Sequence, residues 1–434
     1  MSELLFKNGR VVDPTSDHDA TADVRVVDGD VAEVGPDLGA GTAEIVDCSG
    51  LIVTPGFVDL HTHLREPGFE DAEDIATGSA AAAAGGFTAV CPMANTEPVC
   101  DSAAVAEMVW RRSVEVGLVD VFPVGAITKG LKGEELAEFG ELHSSVTRVD
   151  MFSDDGMPVA DPLIMRRALQ YASTFDAVVC NHSEDPSLTE GAEMNEGAVS
   201  SVLGLPGWPR EAEEVMVARD LILAAGVGAR LHVPHVSTAG TVELIRAAKQ
   251  RGIPVTAEVT PHHLVLTDDL IETYDANLKV NPPLRTERDV TALREALADG
   301  TIDAVATDHA PHAPEHKDQE WEHAPCGMLG LETAFAVVYT ELVESGVLDL
   351  LTAVARFTTG PSSVRDVGEH GRGLRAGEPA HLTVIDPEAI WTVTPSDLQS
   401  KSRNTPFAGR KLTTRPVHTL LRGRFTLRDG QVRV

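Results

Sequence analysis

Short apolar, β-branched runs separated by segments of helical period fill the middle of the chain, and this alternation restricts the fold more than anything else in the sequence. Eight such runs can be counted, at residues 52–60, 87–91, 121–126, 149–153, 177–181, 231–234, 255–259 and 302–307. Helix-period segments such as 162–172 and 241–250 lie between most of them. Parallel strands need a long crossover, and a helix is the usual one. Eight such βα units predict an α/β fold, a closed (β/α)8 barrel of TIM type. The competing arrangement, a doubly wound open sheet, has no GxGxxG or Walker loop to support it. There is no internal repeat of fixed period and no low-complexity segment.

The two ends have a different texture. Strand-like runs at 4–6, 23–27 and 44–47 precede Asn8-Gly9, Asp28-Gly29 and Ser49-Gly50, while 380–386 and 417–421 are strand-like and 428–431 supplies a hairpin turn. Two β-rich ends around a βα-repeating middle predict a small β-sandwich domain built from residues 1–51 plus 373–434, and a barrel domain over 52–372.

With 67 acidic against 35 basic residues in 434, the formal charge is −32. Nucleic acids and anionic membranes both need clustered Lys and Arg, and no basic block exists. The first residues carry no long apolar core behind a basic start, and the alanine run at 79–84 is cut by Gly85-Gly86, so a cytoplasmic protein is expected. Five cysteines, Cys48, Cys91, Cys100, Cys180 and Cys326, are widely spaced without a CxxC pair, which suits reduced thiols. Any metal must then be held by His and carboxylate. Only eight of the 35 cations are Lys, and acidic residues are scattered throughout, as in a solvating surface adapted to high salt. The plain alternative is an ordinary acidic enzyme.

Unusual polar residues fall at the ends of the runs. His61 and His63 follow the first, Asp154-Asp155 the fourth, His182 the fifth, His235 the sixth, His262-His263 the seventh, and Asp308 and His309 the eighth. In a barrel all of these reach the C-terminal rim, where barrel enzymes carry their catalytic groups. Singly each is unremarkable, since a strand-end His often only hydrogen-bonds and Asp-Asp-Gly is a common turn. Jointly, six strand ends offering nitrogen or oxygen ligands have no packing rationale. Imidazole plus carboxylate without thiolate suits Zn²⁺ at an open catalytic site. Four His and two Asp would hold two ions, an arrangement that activates water and polarises a carbonyl.

The segment Pro55-Gly56-Phe57-Val58-Asp59-Leu60-His61-Thr62-His63-Leu64-Arg65-Glu66-Pro67-Gly68 resembles the first-strand signature of dihydroorotases, in the amidohydrolase superfamily. The resemblance continues through Phe152–Gly156, His182–Asp185, Pro234–Thr238, Ala257–His263, Asn281–Arg285 and Ala306–His312, and reaches Asn404-Thr405-Pro406-Phe407, so it covers nearly the whole chain. It implies that His61, His63 and Asp308 hold one zinc, that His182 and His235 hold the other, and that a carboxylate after the fourth strand bridges them. Asp154 and Asp155 both qualify, and the family pattern favours Asp155. Related hydantoinases, dihydropyrimidinases and allantoinases bridge with a carboxylated lysine there, whereas no lysine occurs between Lys132 and Lys249.

The resemblance further implies reversible interconversion of dihydroorotate and N-carbamoyl-L-aspartate in pyrimidine biosynthesis, with a zinc-bridging hydroxide as nucleophile and Asp308 as proton shuttle. Arg65 would clamp the substrate carboxylate through its guanidinium fork. Hydantoin, dihydrouracil and allantoin lack that carboxylate, so Arg65 separates the readings; a salt bridge to Glu66 or Glu70 would be its structural alternative. Asn95, Asn281 and His312 would complete substrate binding together with His63. Cys326 stands where the family usually has Phe; backbone groups of Cys326 and Gly327 would contact substrate, so the Cys is expected to be tolerated rather than nucleophilic. His262, His263 and His309 are expected to orient ligands, and residues 300–323, rich in His and charge, to form a loop over the substrate. Two other functions stay open: a different cyclic amidase, or an inactive scaffold for aspartate transcarbamoylase. A homodimer, and association with that transcarbamoylase, are further family-based expectations.

Overall fold

The computed structural model describes residues 3–433; Met1, Ser2 and Val434, the outermost residues of the expected terminal domain, lie outside the described residues. Strands from both ends of the chain form one continuous hydrogen-bonded sheet of nine strands. Its path runs Gln431–Val432, Arg424–Arg428, Lys411–Leu421, Leu382–Thr392, Ile52–Pro55, Glu3–Asp13, His18–Val27, Asp30–Gly35, with Glu44–Asp47 also paired to Glu3–Asp13. Leu4, Phe6, Val24, Val26, Val53, Leu382, Val384 and Leu420 pack into a core of its own.

Asp28-Gly29 and Asp429-Gly430 make the expected two-residue hairpin turns, with φ of 51° and 99°, and of 52° and 70°. Asn8-Gly9 does not turn the chain. The strand runs on from Glu3 to Asp13 with a bulge between Phe6 and Gly9, because a Cβ at Gly9 would meet Val53 Cγ2 at 2.8 Å and the glycine lets the neighbouring strand close in.

Eight short parallel strands occupy the middle. Phe57–Thr62, Phe87–Pro92 and Asp120–Val121 form one sheet, and Met151–Phe152, Val178–Cys180, Arg230–Val233, Val255–Val259 and Ala304–Val305 form another. Parallel bridges between Gly125 and Phe152, and between Thr62 and His309, join the two sheets at both ends, so the eight strands follow one another round a ring in chain order. Helices between consecutive strands include Ile75–Ala84, Ala103–Val116, Pro162–Ser173, Glu211–Val227, Ala239–Gln250 and Glu287–Asp299.

Two strands depart from the expected runs. Residues 52–60 are two strands rather than one: Ile52–Pro55 ladders with Glu3–Asp13 and Leu382–Thr392, and only Phe57–Thr62 enters the ring. Gly56 separates them, and any side chain there would collide with Thr88. The 121–126 run is regular only at Asp120–Val121, since Pro123 has no N–H to donate to a ladder.

Alternation along the ring strands sends Val58, Leu60, Ala89, Cys91, Val178, Cys180, Ala304 and Ala306 to an inner core. Phe57, Phe87, Val90, Val179, Val255 and Val305 belong to the larger core beneath the helices. Within that layer Phe57 stacks on Phe335 with centroids 4.8 Å apart, and Phe357 lies 5.3, 6.2 and 5.4 Å from Phe57, Phe87 and Phe335. Phe357→Ala is therefore expected to lower the free energy of unfolding by about 3–5 kcal/mol, the range for emptying a buried aromatic site. The check is a fall in denaturant midpoint at unchanged slope.

Candidate metal centre and active site

A buried carboxylate under the ring's seam places the first ligands. Asp59 accepts from His61 N at 3.1 Å, from Thr307 N at 3.0 Å and from Thr307 Oγ1 at 2.6 Å, so it ties the ends of the first and eighth ring strands together. Burial, opposed by those bonds from Thr307, pushes Asp59 up to about 7. His63 N donates to His309 O at 2.8 Å just above. Three residues of the site hold left-handed backbone, Arg65 at φ 62°, His235 at 32° and Asp308 at 46°, a strained conformation that collects at functional sites.

The two candidate bridging carboxylates part company. Asp154 turns into the loop before it, where Oδ1 accepts from Ile127 N at 2.7 Å and Thr128 N at 2.9 Å and Oδ2 accepts from the Thr128 hydroxyl. Asp155 turns into the ring's mouth. Its Oδ1 lies 3.3 Å from His61 Nε2, 3.5 Å from His182 Nδ1 and 3.4 Å from His235 Nε2, and its Oδ2 lies 3.4 Å from His63 Nε2. Asp308 Oδ1 is 3.0 Å from His63 Nε2 and 3.5 Å from His61 Nε2. Two triads, His61–His63–Asp308 and His61–Asp155–His235, each keep their ligand atoms within 4.8 Å of one another. His182 joins the second through Nδ1, 3.0 Å from His235 Nε2.

This donor set fits divalent metal. His61 Nε2 is buried without a hydrogen-bond partner, in contact range of two carboxylates. Burial disfavours a charged His61, yet Asp155 and Asp308 outweigh it and drive the imidazole well above its ordinary range; burial likewise opposes a charged His182, but Asp155 and Glu184 take it to about 10. The cluster is thus built to attract positive charge, and nitrogen and carboxylate ligands without sulfur suit zinc-like ions.

On His61, His63 and His182 the inward nitrogen is aimed by a partner on the ring's other nitrogen. Glu258 Oε1 is 2.8 Å from His61 Nδ1 while Oε2 is 3.0 Å from His232 Nε2; Glu184 Oε2 is 3.1 Å from His182 Nε2; Asn95 Oδ1 is 3.0 Å from His63 Nδ1. Burial is opposed by His232 and His61 to leave Glu258 at about 2. Sequence reasoning missed Glu258, His232 and Glu184 as contributors; the available signal was a glutamate inside an otherwise apolar strand. His262, His263 and His309 stand outside both triads. His263 is held between Thr260 Oγ1 at 2.8 Å and Pro282 O at 3.0 Å, the His262 ring lies tilted against it with centroids 4.6 Å apart, and His309 Nδ1 accepts from Gly330 N at 3.2 Å.

Over the cluster lies a cavity of about 210 Å³. His63, Asp155, His182 and Asp308 line it together with all of Arg65, Asn95, Asn281, His312, Cys326 and Gly327. Arg65 has no carboxylate within ion-pair distance among the described residues, for Glu66 accepts from Ile75 N and Glu70 from Gly68 N. Its Nε donates to Pro311 O at 3.1 Å, and burial lowers it only to about 10, so it stays charged. His312 Nε2 sits 2.7 Å from Cys326 O, and burial beside Arg65 pushes that imidazole down to about 3, leaving it neutral. Asn281 Nδ2 donates to Glu184 at 2.9 Å. Gly327 has both amide groups engaged, N–H on Lys279 O at 2.9 Å and C=O with Asn404 Nδ2 at 3.1 Å. A second cavity of about 490 Å³ shares Arg65, Asn95 and His312 and reaches His316 and His323.

Residues 50–241 match the family model described as dihydro-orotase-like. Proteins named dihydroorotase from Streptomyces coelicolor and Mycobacterium tuberculosis are 56% and 55% identical, over 94% and 95% of this chain and 95% and 96% of theirs. One from Pelotomaculum thermopropionicum is 52% identical over 99% of this chain and all of its own. Among solved structures, an L-hydantoinase (dihydropyrimidinase) from Arthrobacter aurescens superposes with a TM-score of 0.89 at 26% identity, covering 100% of this chain and 98% of that one. A dihydropyrimidinase from Brevibacillus agri gives 0.84 at 25% identity, covering 99% and 96%. At this level of identity over almost its full length, the chain belongs to the dihydroorotase family.

Proposed function

We propose that the chain interconverts dihydroorotate and N-carbamoyl-L-aspartate, a cyclic-amide hydrolysis and its reverse, within pyrimidine biosynthesis. The observation that carries this reading is the Arg65 guanidinium, half-buried, without a carboxylate partner among the described residues, and lining one cavity of about 210 Å³ with the His–Asp cluster. Among cyclic amides, dihydroorotate brings the carboxylate that Arg65 lacks. A fork of two parallel N–H donors fits its two oxygens.

His61, His63 and Asp308 would hold one zinc and His182 and His235 the other, with Asp155 between them. Such ions supply a deprotonated water and a Lewis acid toward the amide oxygen. The chain's own groups do the rest. Asp308 takes the proton that remains on the attacking oxygen and hands it to the departing ring nitrogen; in ring closure it takes the proton from that nitrogen and gives it to the departing oxygen. His63 Nε2 and Asp308 Oδ1, 3.0 Å apart, would meet on the same ion, which would hold that carboxylate in place. Neutral His312 keeps Arg65 the pocket's sole cation apart from the metals and, with Asn95, Asn281 and the Cys326 backbone, orients the ring. Gly327 contributes by shape: its φ of 144° and the nearness of His312 leave no room for a side chain.

The ring of parallel strands reads as a TIM-type (β/α)8 barrel, and the nine-stranded sheet as a β-sandwich-like second unit, near the division of 1–51 plus 373–434 from 52–372. The ladder of Ile52–Pro55 with Leu382–Ile385 supports a border nearer Gly56. Homodimerisation, association with aspartate transcarbamoylase and a cytoplasmic setting complete the reading. No helix among the described residues is long and apolar enough to cross a membrane.

Ring opening of dihydroorotate by the metal-loaded protein tests the function. Arg65→Ala should cut kcat/KM for dihydroorotate by about a hundredfold or more, the loss of a buried charged pair with substrate, with little effect on dihydrouracil. Turnover of hydantoin, dihydrouracil or allantoin with none of dihydroorotate would establish a different cyclic amidase, and full metal content with no turnover an inactive scaffold.

The two aspartates should separate in elemental analysis. Asp155→Ala is expected to lose most bound metal, whereas Asp154→Ala keeps it and loses about 1–3 kcal/mol of stability from the unpaired Ile127 and Thr128 amides. Equal metal content in both variants would remove Asp155 from the bridge.

The charge of −32 should repel an anionic substrate at long range. If the acidic shell suits high salt, kcat/KM rises as KCl shortens the Debye length to about 3 Å near 1 M. A flat profile, taken where melting curves show the fold intact, would restrict the acidic surface to solubility.

A further inference from the structure

Eight lysines in a chain with 27 arginines are few, and two of them are buried together beside the substrate cavity. Lys317 is 7% exposed and has no carboxylate within ion-pair distance among the described residues. Its Nζ instead donates to three main-chain carbonyls, Ala276 O at 2.8 Å, Pro325 O at 2.8 Å and Lys279 O at 3.3 Å. An ammonium has three donors and no acceptor, so this one is fully used.

The three carbonyls belong to two segments that are distant in sequence and meet here. Ala276 and Lys279 precede Asn281, and Pro325 precedes Cys326 and Gly327; all three of those later residues line the cavity. Lys279 reinforces the junction from the other side. Its Nζ donates to Trp321 O at 2.7 Å and pairs with Glu193 at 2.6 Å, and its carbonyl also accepts from Gly327 N at 2.9 Å. A guanidinium would spread its donors in a plane, whereas three carbonyls converging on one point call for a compact tetrahedral cation. A neutral side chain would leave buried carbonyl oxygens unsatisfied.

We propose that Lys317 is a positioning residue of the substrate pocket, a buried ammonium that pins the Asn281 segment to the Cys326–Gly327 segment and so fixes the wall that reads the ring. This rests on the dihydroorotate reading for its kinetic consequence, though not for its structural one. Lys317 does not touch the His–Asp cluster, so its loss should loosen binding and spare the chemistry.

The chain carries its own reporter. Cys48, Cys91, Cys100 and Cys180 are buried, and Cys326, in the pinned segment, is the cysteine with partial exposure. In the metal-loaded full chain, Lys317→Ala should raise KM for dihydroorotate about tenfold with kcat within about twofold, which separates lost ground-state binding from lost chemistry. Metal content should stay at the wild-type level, and Cys326 should react several times faster with a thiol reagent. Propylammonium, the fragment that the substitution removes, should restore both KM and the slow thiol reaction when compared with equal sodium chloride.

Wild-type KM and thiol reactivity in a folded, metal-loaded Lys317→Ala would overturn the proposal. So would a raised KM that propylammonium leaves unchanged, since that marks a packing defect. Should Lys317→Ala fail to fold, Lys317→Arg decides, because it keeps charge and bulk: faster Cys326 labelling with raised KM supports the pin, and unchanged values overturn it. Absence of dihydroorotate turnover in the wild type would defeat the functional reading and leave the labelling test of Lys317 intact.

Discussion

Four imidazoles and two carboxylates meet within a few ångströms at the mouth of the strand ring, and one carboxylate makes that meeting possible. Asp155 faces His61, His182 and His235 with one oxygen and His63 with the other, each at 3.3–3.5 Å. Remove its charge and the nitrogens face each other in a buried space, where His182 and His235 already stand 3.0 Å apart. The rest of the fold can be understood as delivery of side chains to this point. A parallel ring brings every strand to the same rim with the same polarity, so residues separated by 245 positions, His63 and Asp308, become neighbours. Asp59 completes the delivery by locking the first and last strands at the level of their ligands.

Much of this was readable in the sequence, because the signals were periodic or positional. Alternation located the ring strands, and ligand-type residues just past their ends located the site. The hairpin turns at Asp28-Gly29 and Asp429-Gly430 were equally legible, since two residues of positive φ in succession need such pairs. What escaped depended on neighbours distant in sequence. Asn8-Gly9 carries the same turn chemistry, yet the approach of Val53 makes it a bulge. The 52–60 run reads as one apolar strand, and only packing against Thr88 reveals that Gly56 divides it between two sheets.

The choice between Asp154 and Asp155 belongs to the same class. The strand ends at Phe152, and in the turn that follows the two carboxylates part, Asp154 toward the preceding loop and Asp155 toward the cluster. Which one turns away follows from where the loop at Ile127 and Thr128 presents its amides, and that loop lies 26 residues earlier in the chain. Glu258, His232 and Glu184 were hidden for a different reason. They contact the histidine nitrogens that face away from the cluster, directly or through Glu258, and a residue that acts through another residue's orientation leaves no spacing rule behind.

Electrostatics explains how an acidic protein can hold an anion. A net charge of −32 acts from the surface, where salt confines its reach to about 8 Å at physiological ionic strength. Within the cavity the balance is local. Arg65 keeps its proton because burial lowers it only to about 10, while His312, 3.5 Å away, is driven to about 3 and remains neutral. Two neighbouring cations would attract a carboxylate without orienting it. One charged fork beside a neutral hydrogen-bonding ring creates a direction as well as an attraction.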